Sequence, residues 1–172
     1  GGPDINSFGD PAALISRIIP LRRGKTNGRV ALVRHVNHHR VPLILPENFD
    51  ELSLFISHPK KIYELVTQLL EYDEVVTSAM HILIVCQSYG IPCSLITFEG
   101  LENSVSGSGL KYSDYSLGVG LKELHPVVVK RDLRSLSLEK IRQIGIICES
   151  SKDEIESKLL ESIDTIWEQR TR

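Results

Sequence analysis

This chain has little that could staple it together. Its 172 residues include three cysteines. Cys86, Cys93 and Cys148 are odd in number and form no CxxC pair, and two of them lie inside apolar segments. That pattern argues against a disulfide framework or a zinc ribbon and fits a reducing compartment. An excess of one charge is also missing, with 20 Lys and Arg against 22 Asp and Glu, a formal charge of -2. The basic runs Leu21-Arg22-Arg23-Gly24-Lys25 and Pro59-Lys60-Lys61 are short, so neither nucleic acid nor acidic lipid is an expected partner. No segment reaches the roughly 20 uninterrupted apolar residues that span a bilayer. The start, Gly1-Gly2-Pro3-Asp4-Ile5-Asn6, lacks the charged and apolar regions of a signal peptide. It also lacks a methionine, which predicts a soluble piece of a longer protein. There is no repeat, Walker motif or dinucleotide fingerprint.

What remains is a balanced globular composition, 41% hydrophobic and 24% charged, long enough for one domain with its own core. Residues 1–172 are expected to form that single domain, with 1–28 as a lead-in and 150–172 as a terminal helix. Arg29 to Val36 is a β-branched run entered from Thr26-Asn27-Gly28, as a buried strand would be. A second apolar run, Leu52 to Ile56, ends at Ser57-His58-Pro59, where serine can cap a helix and proline fits its first turn. In that helix Ile62, Leu65, Val66, Leu69 and Leu70 recur at helical spacing, with Lys60, Lys61, Glu64 and Glu71 on other faces. Glu74 to Thr77 reads as a strand, and the following helix runs to Gly90. Pro92 to Phe98 is the next strand. Short helices at 111–118 and 138–143 and a short strand at 127–129 complete the reading. Continuously apolar strands alternating with helices predict an α/β, Rossmann-like parallel sheet covered on both faces.

Three groups of residues carry chemistry. In a sheet of this kind ligands bind outside the carboxyl ends of the strands, where the first turn of the next helix offers backbone N–H groups to an anion. His81 follows such a strand in Thr77-Ser78-Ala79-Met80-His81, where it can hold a phosphate or carboxylate, move a proton, or serve as a cap or core residue. The polar loop Glu102 to Gly109 precedes Leu110-Lys111-Tyr112-Ser113-Asp114-Tyr115. There Gly107 and Gly109 let backbone amides approach an anion, Lys111 adds a point charge, and Asp114 can accept a sugar hydroxyl. The same loop also reads as a solvated connection. The third group is His35-Val36-Asn37-His38-His39-Arg40. With no adjoining Cys or carboxylate it is a poor metal site, and His35 and Arg34 are its members nearest the crevice.

Taken in order, Phe8 to Leu14, Val30 to His35, Thr77 to His81, Tyr89-Gly90-Ile91-Pro92 and Gly109 to Tyr115 resemble the C-terminal half of the polysaccharide pyruvyl transferase family, over roughly residues 8 to 120. The resemblance implies one half of a GT-B-like, two-domain enzyme that moves a pyruvyl group from phosphoenolpyruvate onto a sugar as a cyclic ketal. It implies His81 as the catalytic histidine of a Ser-x-x-His turn, and His35, Ser78, Gly107, Gly109, Lys111 and Asp114 as substrate-binding residues. No cofactor or metal is implied beyond the donor. The implied partners are phosphoenolpyruvate, a glycan or lipid-linked sugar acceptor and the missing N-terminal half, with homo-oligomerisation left open and the isolated fragment inactive. The implied location is cytoplasmic, peripheral to the inner face of the membrane for a lipid-linked acceptor. Ile82 and Ala79 depart from the family pattern of glycine and, in some members, arginine. Ile82 is expected to crowd an approaching anion. A nucleotide-sugar glycosyltransferase half-domain and a non-catalytic interaction domain are the alternatives.

Overall fold

Five short strands form one parallel sheet in the computed structural model, which describes residues 10–55, 57–105, 110–143 and 145–170. They are β1 (Val30–Val33), β2 (Phe49–Leu52), β3 (Glu74–Thr77), β4 (Cys93–Phe98) and β5 (Val127–Val129). The helices are α1 (Ile15–Ile18), α2 (Pro59–Leu70), α3 (Met80–Tyr89), α4 (Leu110–Gly118), α5 (Leu138–Ile141) and α6 (Glu149–Arg170), and 3-10 turns lie at Pro11–Leu14 and Val36–His38. The predicted α/β, Rossmann-like sheet is therefore present. Among the described residues no helix is long and apolar enough to cross a membrane.

The strand order is β2-β1-β3-β4-β5. Val30 pairs with Phe49 on one side and Glu74 on the other, and the register runs on to Val33 between Leu52 and Thr77. The order reverses at β1, so the chain leaves the carboxyl ends of β1 and β3 in different directions and opens a crevice between them. β1, β3 and β4 are buried along their whole length, which is why apolar residues fall on both faces of each. Ala31, Val33, Val75 and Leu95 join a core beneath α2, α3 and Tyr112 of α4. Val30, Leu32, Val76 and Ile96 face the other way, onto Leu133, Ile141 and the segment around Leu43 and Leu45.

Several local expectations change. The first strand is shorter than 29–36, because a 3-10 turn begins at Val36. β2, at Phe49–Leu52, reaches only the first residue of the Leu52 to Ile56 run. It pairs on one side only, so Asp50 and Glu51 can remain partly in water. The cap of α2 is His58, whose Nδ1 accepts the Lys60 N–H, and not Ser57. Ile62 leaves the apolar stripe for the surface.

A third apolar cluster joins Ala13 and Leu14 to Ile84 of α3, Tyr115 of α4 and Ile155 of α6. A polar seam runs beside it. Arg17 bonds Glu149, Asp153 and Glu156 on α6. Buried Lys152 donates to Ser16 Oγ, the Ser88 carbonyl and Glu149. The first half of the terminal helix thus packs on its own domain; the side chains of Ile163, Ile166 and Trp167 lie outside the description.

Gly90 ends α3 in the left-handed conformation, with φ of 69°. A Cβ there would meet only the Ile146 side chain, at 3.6 Å. The penalty of Gly90→Ala is therefore conformational, and urea denaturation should record a loss of about 1 kcal/mol.

Candidate functional site

The crevice is built on Thr77. Its Oγ1 donates to the Val33 carbonyl at 2.8 Å and accepts the Ala79 N–H at 3.0 Å, so one side chain ties the end of β1 to the start of α3. The next residue extends the tie. Ser78 Oγ accepts the His35 N–H at 2.9 Å and lies 2.8 Å from Nδ1 of His38. Nε2 of His38 lies 2.7 Å from Ser104 Oγ, which itself donates to the Leu101 carbonyl.

These contacts settle the protons. Ser104 has one hydroxyl hydrogen and gives it to a carbonyl, so His38 must donate from Nε2. Nδ1 is then an acceptor, and Ser78 donates to it. His38 is 1% exposed and neutral in this network. Burial lowers its pKa first, followed by the charges of His35 and Arg34. Asn37 adds a bond from its side-chain amide to the Ser104 carbonyl. Together these bonds latch the start of the Glu102 to Gly109 loop to the turn after β1.

His35 stands above this network, its ring edge-on to that of His38. Its Nδ1 accepts the Asn37 N–H, so the neutral ring carries its hydrogen on Nε2. Its pKa is held below the ordinary histidine value by burial and then by the charges of Lys111 and His81. Burial likewise lowers Lys111, whose ammonium lies 5.1 Å from the Tyr112 ring centroid. His81 is 76% exposed at its side chain, with Nε2 3.5 Å from Asp10. Lys111 and His81 thus lie within electrostatic reach of His35, whose Nε2–H is a donor at the point where the sheet order reverses.

The other predicted residues fare differently. Ser78 is 2% exposed and its hydroxyl is engaged by His35 and His38, so its place is beneath the crevice. Asp114 lies one turn along α4 from Lys111 and lines a groove with Ser151, Glu154 and Lys158 of α6, apart from His35 and Ser78. Gly107 and Gly109 lie outside the described residues. The expected crowding by Ile82 is corrected, because its side chain is buried in the core beside Leu65 and Leu83 and so points away from an anion at the crevice mouth. His38 is the member that sequence reading passed over. Its signal was its place within the histidine-rich segment directly after a buried strand.

A cavity of about 690 Å³ lies at the opposite end of the sheet. Val30, Glu74 and Pro92 line it near the amino ends of β1, β3 and β4, with Arg23 and Arg142 at its wall. Arg142 is bonded to Glu74 there, at 2.5 Å and 3.2 Å. In an open parallel sheet ligands are bound outside the carboxyl ends of the strands, where the following helices begin, so the crevice there is the stronger candidate. Among the described residues no cluster of three His, Cys, Asp or Glu is placed to hold a metal ion. Compared with protein-family models, curated proteins and solved structures, the chain matches none.

Proposed function

We propose that this chain is the donor-binding half of a GT-B-like pyruvyl transferase, taking phosphoenolpyruvate in the crevice between β1 and β3 and passing its pyruvyl group to a sugar. The observation that supports the reading is that His35, fixed at the end of β1 by the bond from its N–H to Ser78 Oγ, lies within electrostatic reach of Lys111 and His81. Phosphoenolpyruvate brings a phosphate and a carboxylate on one small carbon frame, and such a ligand needs clustered cations and N–H donors.

In ketal formation the enol methylene takes a proton, one sugar hydroxyl adds to the neighbouring carbon, the carbon–oxygen bond to phosphate breaks, and a second hydroxyl closes the ring. One hydroxyl proton replaces the proton consumed and the other leaves with solvent or phosphate. His81 is exposed at the mouth and supplies the first proton. Lys111 and His35 hold the anionic groups, His35 through its Nε2–H. The reading places the protein in the cytoplasm, at the inner face of the membrane when the acceptor is lipid-linked, and assigns the acceptor side of the cleft to a second domain.

Calorimetric titration with phosphoenolpyruvate, uridine diphosphate and guanosine diphosphate tests it. Phosphoenolpyruvate is expected to bind, and His81→Ala to weaken it by about tenfold, the effect of losing one charge-assisted bond. Binding of a nucleoside diphosphate in its place would favour the nucleotide-sugar reading. Silence toward all three would leave an interaction domain.

A further inference from the structure

The cavity of about 690 Å³ at the amino ends of β1, β3 and β4 is lined by groups that the fold leaves incompletely bonded. Arg23 reaches across to the start of β3, where its Nη2 donates to the carbonyls of Tyr72 and Asp73, each at 2.7 Å. Its Nε–H is buried and has no partner among the described residues. A buried N–H without an acceptor is costly, and folded chains rarely keep one. Arg142 meets both oxygens of Glu74 through Nε and Nη2. Among the described residues no hydrogen bond uses Nη1 of either arginine. The two carboxylates in the same wall are engaged by the chain itself, Glu74 by Arg142 and Asp73 by Thr26 and the Gly28 N–H. Donors are therefore left over where acceptors are not. Beside them Ile91, Pro92 and Ile146 form an apolar wall. Ile146 is 61% exposed there, a large apolar side chain that a ligand would cover.

We propose that this cavity binds a small organic oxyanion, with a carboxylate or phosphate monoester head bonded by Arg23 and by Nη1 of Arg142, and an apolar body lying on Ile91, Pro92 and Ile146. The guanidinium fork matches the oxygens of either head group. The volume falls within the roughly 300–1,000 Å³ of small-molecule sites. Each arginine already has a carboxylate beside it, Asp73 for Arg23 and Glu74 for Arg142. The head is therefore recognised by directed N–H bonds more than by a field of one sign, and the apolar wall supplies the rest of the affinity. A bare inorganic ion makes no use of that wall and should bind weakly. The site lies at the far end of the sheet from His35 and does not depend on the transferase reading.

The test is NMR shift mapping with calorimetry on the full chain, using hexanoate, hexyl phosphate, hexan-1-ol and inorganic phosphate as probes. Hexanoate or hexyl phosphate is expected to shift the amides of Gly28, Gly90 and Ile146 and the Nε–H signal of Arg23. The better of the two should bind about tenfold tighter than both hexan-1-ol and inorganic phosphate, and which one it is tells a carboxylate ligand from a phosphate ester. Arg23→Gln should weaken that binding about tenfold. Ile146→Ser, at an exposed position where folding is not at stake, should weaken it about fivefold through lost apolar contact. Phe55→Ala, exposed just past the carboxyl end of β2, should leave it unchanged. The proposal is overturned if neither acid binds, if the shifts fall elsewhere, if hexan-1-ol or inorganic phosphate binds as tightly as the acids, or if Arg23→Gln and Ile146→Ser bind as well as the parent.

Discussion

Replacing Arg142 with methionine is expected to lower the unfolding free energy by about 2 kcal/mol, seen as a urea midpoint lower by about 1 M. Glu74 opens β3 with its side chain 5% exposed, and Arg142 is its bidentate partner. Removing the guanidinium leaves a carboxylate with little water and, among the described residues, Ser94 Oγ at 3.5 Å as a further hydrogen-bond partner. Breaking a fully buried ion pair typically costs about 3–5 kcal/mol. The smaller figure is used because Arg142 is itself 37% exposed, so water can reach the site. The double replacement Glu74→Leu with Arg142→Met should recover most of the loss, since the stranded charge goes with its partner. A single-variant loss below about 0.5 kcal/mol, or a double variant less stable than the single one, would show that the pair is not what holds this end of the sheet.

The second large effect is a loss of stability on mild acidification. Both His35 and His38 have pKa values below the ordinary histidine value of about 6.5. In the unfolded chain both take up protons near that pH, whereas the folded chain resists until lower pH. The unfolded state therefore binds more protons in the window just below pH 6.5, and stability falls as pH falls through it. The slope is at most about 1.4 kcal/mol per pH unit for each histidine. The aspartates and glutamates whose pKa values are lowered, such as Asp50 and Asp73, lose their contribution only in more acidic solution. His38→Gln keeps a donor toward Ser104 and should flatten the step below pH 6.5 while lowering stability at pH 7.5. Nitrogen-detected NMR should find the proton of His38 on Nε2 at neutral pH. A His38 ring that titrates at 6.5 or above would break the assignment.

The central sheet was legible because the physics that forms it is local. VALV, EVVT and CSLITF are buried on both faces, so each carries apolar residues on both sides of the sheet and announces itself. β2 was not legible in the same way. As an edge strand it carries Asp50 and Glu51, which need no second neighbour, and the more apolar residues just after it drew attention instead. The crevice was half legible. His35, Lys111 and His81 follow from the rule that loops at the carboxyl ends of strands converge. The burial of His38 does not, because it depends on a 3-10 turn and on Ser104, 66 residues away. Asp114 shows the opposite limit: a helix that starts at a crevice leaves it at about 1.5 Å per residue, so closeness in sequence to Lys111 did not keep it there.

The seam between Arg17 and α6 has a consequence for the order in which the protein can be made. Arg17 and Glu149 are separated by 132 positions, and nearly the whole sheet is synthesised between them. Until α6 leaves the ribosome, Ala13, Leu14 and Ile84 lack part of their cover, and Ser16 and the Ser88 carbonyl lack the ammonium of Lys152. The parallel strands can pair beforehand, but the layer that closes over the lead-in segment arrives only after the sheet, and a nascent chain stalled before α6 would present that apolar surface to whatever lies near the tunnel exit.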